Sequence, residues 1–515
     1  MRHDPSLIHL RCHHSCLQLA RVLLIVFSLI SPFCAFLTQP AVGADPPPTI
    51  RKISISGNTR TVDATIEREL LFVSGEPLNS AIVAETSRNL RRLFFLGNVE
   101  IRIQREGRYV DITVLVQDLY ARALTPSISG EVGELSYGLI AMDYNFLGSG
   151  QIVQLTLGHD AISGNWGEAY LQVPRVSGSR KRLTANLNVS GEGHDIWGTV
   201  SRPFYALSVA ASYGFTAYTR EEIRRQYNRQ TLARKYTDRL RGGSLWYTRS
   251  YGERVKVRPD LRLEISDRQF SPATGFTYAP SGRQRVLPGI GLTVWRPRYV
   301  KSRYVQDLGR MEDLQIGSWV AARVGLSYKG LGSDQTFSFY QMEIVPRFVV
   351  QPGTYVFSSL SLSSRWTGGQ YTNLVASSSL RAYAKVGETH SLAFRLRWDA
   401  LSRPEDSSQF LLGSLRGLRG YAIRRFDGTR RVYANVEARP TLHRHELLVL
   451  AGAVFFDAGS AWTPSRTSPE LNLAAGVGAR ISLTRVYNTP VFRADVAYGI
   501  QDRTWQLTVG MGQYF

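Results

Sequence analysis

GSLRGLRGYAIRRFDGTRRVYANVEAR, residues 413–439, joins a glycine-flanked arginine loop to a segment of near-perfect alternation. From Arg431 to Arg439 the odd positions are Arg431, Tyr433, Asn435, Glu437 and Arg439, and the even ones are Val432, Ala434, Val436 and Ala438. A strict period of two is the mark of a strand with one polar and one apolar face. One face of this strand therefore expects water, and the other expects grease.

The same alternation continues on both sides of the loop. After it, five strands are expected near 431–440, 447–459, 471–484, 491–500 and 505–515. Before it, from residue 119 on, alternating segments separated by turn residues bring the total to roughly 18 to 20 strands, with almost nothing of helical period. No apolar run of about 18 residues occurs beyond the amino-terminal region, which excludes a helical membrane protein. A membrane barrel would escape such a test, because only every second residue of its strands meets lipid. The 45 glycines and the 11% aromatic content suit tight turns and interfacial aromatic girdles.

Residues 1–44 have the pattern of a secretory signal: Arg2, Arg11 and Arg21 precede the apolar run Val22–Ile30, and Val42 and Ala44 are small residues before a cleavage point at Asp45. Cys12, Cys16 and Cys34 all lie in this leader, so its removal leaves no cysteine for disulfides or metal. A lipid-anchored Cys34 is disfavoured by Pro32 and Phe33, where small residues are wanted. Without the leader the chain has 59 basic and 40 acidic residues, a net charge of +19. An exported chain of that charge points to anionic lipid, lipopolysaccharide or a cationic lumen, and not to nucleic acid. The most basic interruption, Arg220–Arg241, is expected to be a solvated loop or a lumen-facing strand pair.

Residues 45–118 are expected to form a separate βααββ module. Ile53 and Ile55 mark a first strand, Thr61 is expected to cap a helix with Ile66, Leu70 and Leu71, and a second helix runs from about Asn79 to Phe95. Alternation at Val99, Ile101 and Ile103, and then at Val110, Ile112, Val114 and Val116, gives two further strands. No phosphate loop, zinc-protease motif or nucleophile elbow occurs, so no enzyme, cofactor or metal is expected. The one close histidine pair, His443 and His445, sits in a short turn with Glu446.

The tetrad Leu418-Arg419-Gly420-Tyr421 resembles the signature of the BamA/TamA superfamily of bacterial outer-membrane proteins, in which it tips a loop folded into a β-barrel. The element order of 45–118, with Gly57-Asn58 and Phe95-Leu96-Gly97-Asn98-Val99, looks like a periplasmic POTRA domain. The resemblance implies a mostly β chain, a 16-stranded antiparallel transmembrane barrel over 119–515, with the arginine loop near 411–430 folded inward. Phe455-Phe456-Asp457-Ala458-Gly459 matches the family motif whose aspartate receives the loop arginine. Strand parity adds Glu437, so Arg419 is expected to bridge Glu437 and Asp457. Asn145-Phe146-Leu147-Gly148-Ser149-Gly150 resembles the family turn after the second barrel strand.

The last strand, Trp505–Phe515, ends on an aromatic residue like an assembly signal, with Gln513 interrupting its apolar row. Gly510 and Gly512 there, and Gly130 and Gly133 in the first strand, offer no cross-strand side-chain pairs, so the closing seam is expected to be weak. The resemblance implies assembly or translocation of unfolded or nascent outer-membrane polypeptides, with capture by β-augmentation at the POTRA edge and passage by seam or lumen. Periplasmic accessory proteins are further candidate partners. The rivals are a dedicated two-partner exporter, a passive porin and a barrel phospholipase, the last lacking a convincing serine and histidine pair.

Overall fold

The computed structural model describes residues 46–515 apart from 307, 309–311, 446 and 484–490. The expected leader lies outside the described residues. The amino-terminal domain comprises β1 (Thr49–Ser56), α1 (Asp63–Glu67), α2 (Ser80–Arg91), β2 (Leu96–Glu106) and β3 (Tyr109–Asp118). Its sheet runs β1-β3-β2, with β1 parallel to β3 and β2 antiparallel to it. Ile50, Ile66, Leu90, Phe95, Val110, Ile112 and Val114 fill the core between helices and sheet. Asn79 starts α2 by accepting from the N–H groups of Ala81 and Ile82 (2.9 and 3.3 Å), the usual way an Asn satisfies free helix donors. Thr61 does not cap α1; its hydroxyl donates to Asp118, and Val62 takes the cap position without a side-chain bond.

From Arg122 onward the chain is one closed antiparallel barrel. Its ladder contains 22 segments, but Pro346 splits one strand into Phe337–Val345 and Arg347–Gln351, and Pro440 splits another into Arg430–Arg439 and Thr441–Arg444. Proline has no N–H to give the ladder. The barrel therefore has 20 strands, not the expected 16. The five strands after the arginine loop are Arg430–Arg444 (interrupted at Pro440), Leu448–Trp462, Asn472–Leu483, Phe492–Gly499 and Thr504–Met511, so the surplus lies wholly before it. The basic stretch 220–241 is a strand pair within the long hairpin Ala211–Asn228 and Thr231–Arg249.

The outer surface is apolar. Leu157, Leu245, Leu261 and Val454 are each more than half exposed, and Phe215, Leu392, Val436 and Val477 join them. So continuous an apolar belt has no place in water, and it identifies the face that meets hydrocarbon. Among the described residues no helix is long and apolar enough to cross a membrane.

Two loops fold into the lumen. Residues 403–429 enter from the end away from the amino-terminal domain. From the near end, the described residues of 296–318 contribute the paired short strands Tyr299–Ser302 and Glu312–Gln315. Val305, Leu314 and Ile316 of that hairpin pack on Tyr355, Phe357 and Tyr383 of the wall, and Tyr304 and Leu308 on Val449, Ala451 and Val491. The alternation of Arg431–Arg439 is present as expected, but its polar face is not wet: Asn435 and Glu437 are fully buried beneath the loop.

Candidate functional site: the pinned loop and the closing seam

Arg419 stands at the tip of the inward loop with no exposure to solvent. Its Nε and Nη2 donate to the two oxygens of Asp457 (2.8 and 2.9 Å), its Nη1 to Glu437 (2.7 Å), and its backbone N–H to Asp457 (3.1 Å). The guanidinium lies between the rings of Phe455 and Tyr514, at 3.4 and 4.2 Å from their centroids. Arginine cannot shed its charge, so such burial is tolerable only where carboxylates meet its planar fork. Gly420 follows with φ +85°, and a Cβ there would stand 2.8 Å from the backbone nitrogen of Gly499. Tyr421, also buried, donates to the carbonyl of Leu473 (2.9 Å).

The acids belong to a larger lattice than Arg419 alone explains. Arg439 donates to Glu437 (2.8 Å), Arg480 to Asp495 (2.7 Å) and Glu437 (3.3 Å), and Arg493 to Asp495 (3.0 Å). Asp495 also lies 3.6 Å from Arg419. Asn435 ties Asp457 (2.7 Å) to the carbonyl of Gly417 (3.0 Å). Asp495, Arg480 and Asn435 were within reach of the parity argument, since each lies in the inward phase of its strand. Tyr514 also has the inward, even phase of Gln506 and Thr508 in the expected last strand.

The carboxyl terminus departs from the expected strand. Pairing stops at Met511, Gly512 turns at φ +85°, and residues 513–515 bend into the lumen. Tyr514 accepts from Gly417 N–H and donates to the Ser414 carbonyl, both at 2.9 Å. Phe515 packs with the wall cluster around Tyr355 and lies 4.8 Å from Arg395 and 5.2 Å from Arg439, so it does not face lipid. The reason is the pull of buried arginines on aromatic rings once a glycine has broken the extended run.

That turn leaves the seam almost unpaired. The first barrel strand (Arg122–Glu131) meets the last (Thr504–Met511) only through Thr508 opposite Glu131 and Val509 opposite Gly130. By contrast, the neighbouring hairpin partner of the first strand pairs along its whole length, from Arg122 opposite Asp143 to Glu131 opposite Glu134. Among the described residues, 122–129 thus have no ladder partner on the seam side and present a free edge there. Gly130 (φ +134°) and Gly133 (φ +94°) shape the hairpin turn beside the seam, while Gly510 lies in the last strand against Arg493.

The inward loop clasps both sides of this seam. Glu131 accepts from the Ser414 hydroxyl (2.6 Å) and the Ile423 N–H (3.0 Å), and Arg424 pairs with Glu134 (2.9 Å). On the other side Arg425 holds Asp502 (2.6 and 3.1 Å), and the Thr504 hydroxyl donates to the Gly420 carbonyl (3.2 Å).

Residues 48–118 match the family model described as POTRA, surface antigen variable number repeat. The amino-terminal domain is a POTRA domain. After this POTRA domain the chain continues as a closed barrel with an inward arginine loop. Among solved structures the chain is similar to BamA from Haemophilus ducreyi lacking POTRA domains 1–3 (15% identity over 90% of this chain and 85% of that one, TM-score 0.42). It is also similar to CdiB from Acinetobacter baumannii (12% identity, 91% and 74%, TM-score 0.45) and CdiB from Escherichia coli (12%, 90% and 76%, TM-score 0.46). No curated protein matches the chain in sequence.

The turn motif turns out to be the socket of the POTRA domain. Asn145 donates to the Thr61 hydroxyl (2.9 Å) and accepts from Gly150 N–H (2.8 Å), and the Gly148 carbonyl accepts from the Thr65 hydroxyl (2.9 Å). A Cβ on Gly148 (φ +70°) would stand 2.7 Å from the Arg60 carbonyl oxygen. Further out, Arg175 grips Glu69 (2.8 and 2.9 Å) and Arg91 grips Asp313 of the plugging hairpin (2.8 and 2.9 Å). Read as a generic tight turn, the motif hides this role, because its partner lies more than 80 residues earlier. Of the histidine turn, Glu446 lies outside the described residues, and no group that could hold a metal occurs among the described ones.

Proposed function

We propose that this chain assembles or translocates polypeptides at the bacterial outer membrane, with its POTRA domain in the periplasm, and that it does so without catalysis or cofactor. An unfolded outer-membrane client would first add to β2, whose outer edge has no partner strand in the sheet. It would then pass to the seam. The observation that carries this reading is the free edge of residues 122–129, bordered by a closing ladder of two residue pairs. Unpaired N–H and C=O groups in a barrel wall are a template for another strand, and a client hairpin would satisfy them by backbone bonds alone. The inward loop, fastened to both sides, would keep the wall closed while no client is present.

The second reading, a dedicated exporter that threads its partner through the lumen, is favoured by the width of a 20-strand barrel. A passive porin fits less well, because the loops 403–429 and 296–318 enter the lumen from opposite ends. The outward apolar belt needs bilayer lipid as its partner; lipopolysaccharide and accessory proteins remain proposals of the same reading.

The test uses the double variant Glu131→Cys with Thr508→Cys in liposomes, with folding of a nascent barrel client as readout. Client folding should be accelerated when the pair is reduced and slow when it is oxidised. Both arms lack Glu131, so only the covalent seam differs between them. Equal rates would reject the seam route, and an unaccelerated client with the unmodified chain would reject insertion altogether.

A further inference from the structure

The inward loop carries a further charged contact, apart from the Arg419 pin and the arginines that clasp the seam. Residues 404–406, Pro-Glu-Asp, form an acidic finger inside the upper lumen, with Asp406 held at φ +56°. Glu405 is met by Arg283 (3.1 Å), Arg285 (3.1 Å) and Arg365, and Asp406 by Arg283 and, at 3.9 Å, Arg268. The cradle is built, not incidental. Phe337, itself buried, has Arg285 on it at 5.5 Å and Arg365 at 4.9 Å, so one ring holds two guanidiniums in place. Asn373 accepts from the Glu405 N–H (3.4 Å), and the Tyr236 hydroxyl donates to the Asp406 carbonyl (3.4 Å). The finger is thus bound as a peptide, through its backbone as well as its carboxylates.

Directly beside it lies a cavity of about 390 Å³, lined in part by Arg262, Arg285, Arg323, Arg365, Phe339 and Asn373. Arg323 is neutralised by Asp260 (3.1 Å), whereas Arg262 has no ion pair among the described residues. Were the finger withdrawn, Arg283, Arg285 and Arg365 would lose the only carboxylates that pair with them among the described residues. Three arginines cannot discharge, and they would face a water-filled lumen with aromatic walls. Such a site selects extended chains that present carboxylates at close spacing.

We propose that this cradle is a binding site for acidic segments of a polypeptide in transit, and that Glu405 and Asp406 occupy it as an internal stand-in until a client displaces them. The proposal rests on the polypeptide-handling function above and names the chemistry of its cargo. Displacement exchanges one set of charge-assisted bonds for another of the same kind, so it needs no covalent step and little net energy. It also explains why the loop carries two acids above a basic cluster.

The test measures binding of a fluorescent peptide of alternating Glu and Gly to the full chain in detergent, with a Lys-Gly peptide as the control. In the variant Glu405→Gln with Asp406→Asn, the acidic peptide should bind at least about tenfold more tightly than to the unmodified chain, since a tethered competitor has been removed. Adding Arg285→Ala and Arg365→Ala should abolish that gain, while Arg285→Lys and Arg365→Lys should keep part of it. Heat-modifiable gel migration checks that each barrel is folded; should the alanine form fail to fold, the lysine form against the unmodified cradle carries the comparison. No gain in the finger variant, or a gain insensitive to the arginines, overturns the site. Binding of tripolyphosphate without binding of the peptide also overturns it, since the site would then take phosphate. The assay contains no nascent client or bilayer, so its failure leaves the insertion test standing, and a failed insertion with retained peptide binding would leave this site standing.

Discussion

The Arg419 pin and the closing seam lie a few strands apart on one barrel, yet they are built on opposite principles. At the pin every charged atom of the guanidinium is engaged, no side chain of the triad is exposed, and two aromatic rings cover it. At the seam two residue pairs close a wall of 20 strands, and the loop supplies the remaining contacts from inside. A buried ion lattice is costly to break one member at a time, whereas an edge with few backbone bonds is cheap to open. The molecule therefore fixes its loop firmly and its wall loosely. A structure serving only as a stable pore would have little use for that arrangement.

The widest gap between the two regions should appear on Arg419→Ala. Glu437 and Asp495 would keep Arg439, Arg480 and Arg493, but Asp457 would lose every cationic partner and retain only Asn435 and the backbone N–H of residue 419. Leaving a buried carboxylate so poorly met costs about 3–5 kcal/mol, so the folded barrel band should be lost at a much lower temperature on heat-modifiable gels. An unchanged transition would show that the lattice closes without the loop, and the contrast with the seam would vanish. Gly420→Ala should cost about 1–3 kcal/mol by the same readout, because its positive φ is strained for alanine and the added carbon meets backbone, not a movable side chain.

How much of this contrast could be read in the chain itself? Parity turns Glu437 and Asp457 to the inward face, because a period of two leaves a strand residue only two directions, and the family resemblance adds the loop arginine that meets them. It also bracketed the strand number better than the family resemblance did, since length and alternation belong to this chain and the smaller number belongs to others. What the alternation could not convey is depth. Odd positions 431–439 look wet in one strand and are dry because a loop from elsewhere covers them. The hairpin at 296–318 and the inward tail at 513–515 lack strand periodicity or length, and only tertiary packing decides that they enter the lumen. The Gly148 turn carried its glycines openly but not its POTRA partner.

Between pin and seam in expected size stands the loop that docks the POTRA domain. Burial opposes ionisation of Asp118, yet the Thr61 hydroxyl and the N–H groups of Arg60, Thr59 and Thr61 hold its pKa below the ordinary aspartate value. A carboxyl depressed in the folded state adds stability that is complete above its unfolded pKa of about 4 and is lost as pH falls through the lower folded value. Acid below about pH 4 should therefore loosen residues 59–61 and their grip on Asn145, seen as faster amide exchange there, and Asp118→Asn should show the same loosening at neutral pH, worth about 1–2 kcal/mol. If neither condition changes exchange in that loop, Asp118 does not anchor it.

The smallest effect should come from Gly510→Ala, and it is the sharpest control on the comparison. Like Gly420 it is a glycine whose added carbon meets a neighbour 2.8 Å away. Here, however, the neighbour is the Nη2 end of Arg493, a side chain with four rotatable bonds, and the backbone of Gly510 is not at positive φ. The guanidinium can swing aside and still reach Asp495, so the change should cost less than about 1 kcal/mol and leave the gel transition nearly where it was. A loss as large as that of Gly420→Ala would mean that the seam is as tightly packed as the pin. The loose wall on which the proposed route depends would then not exist.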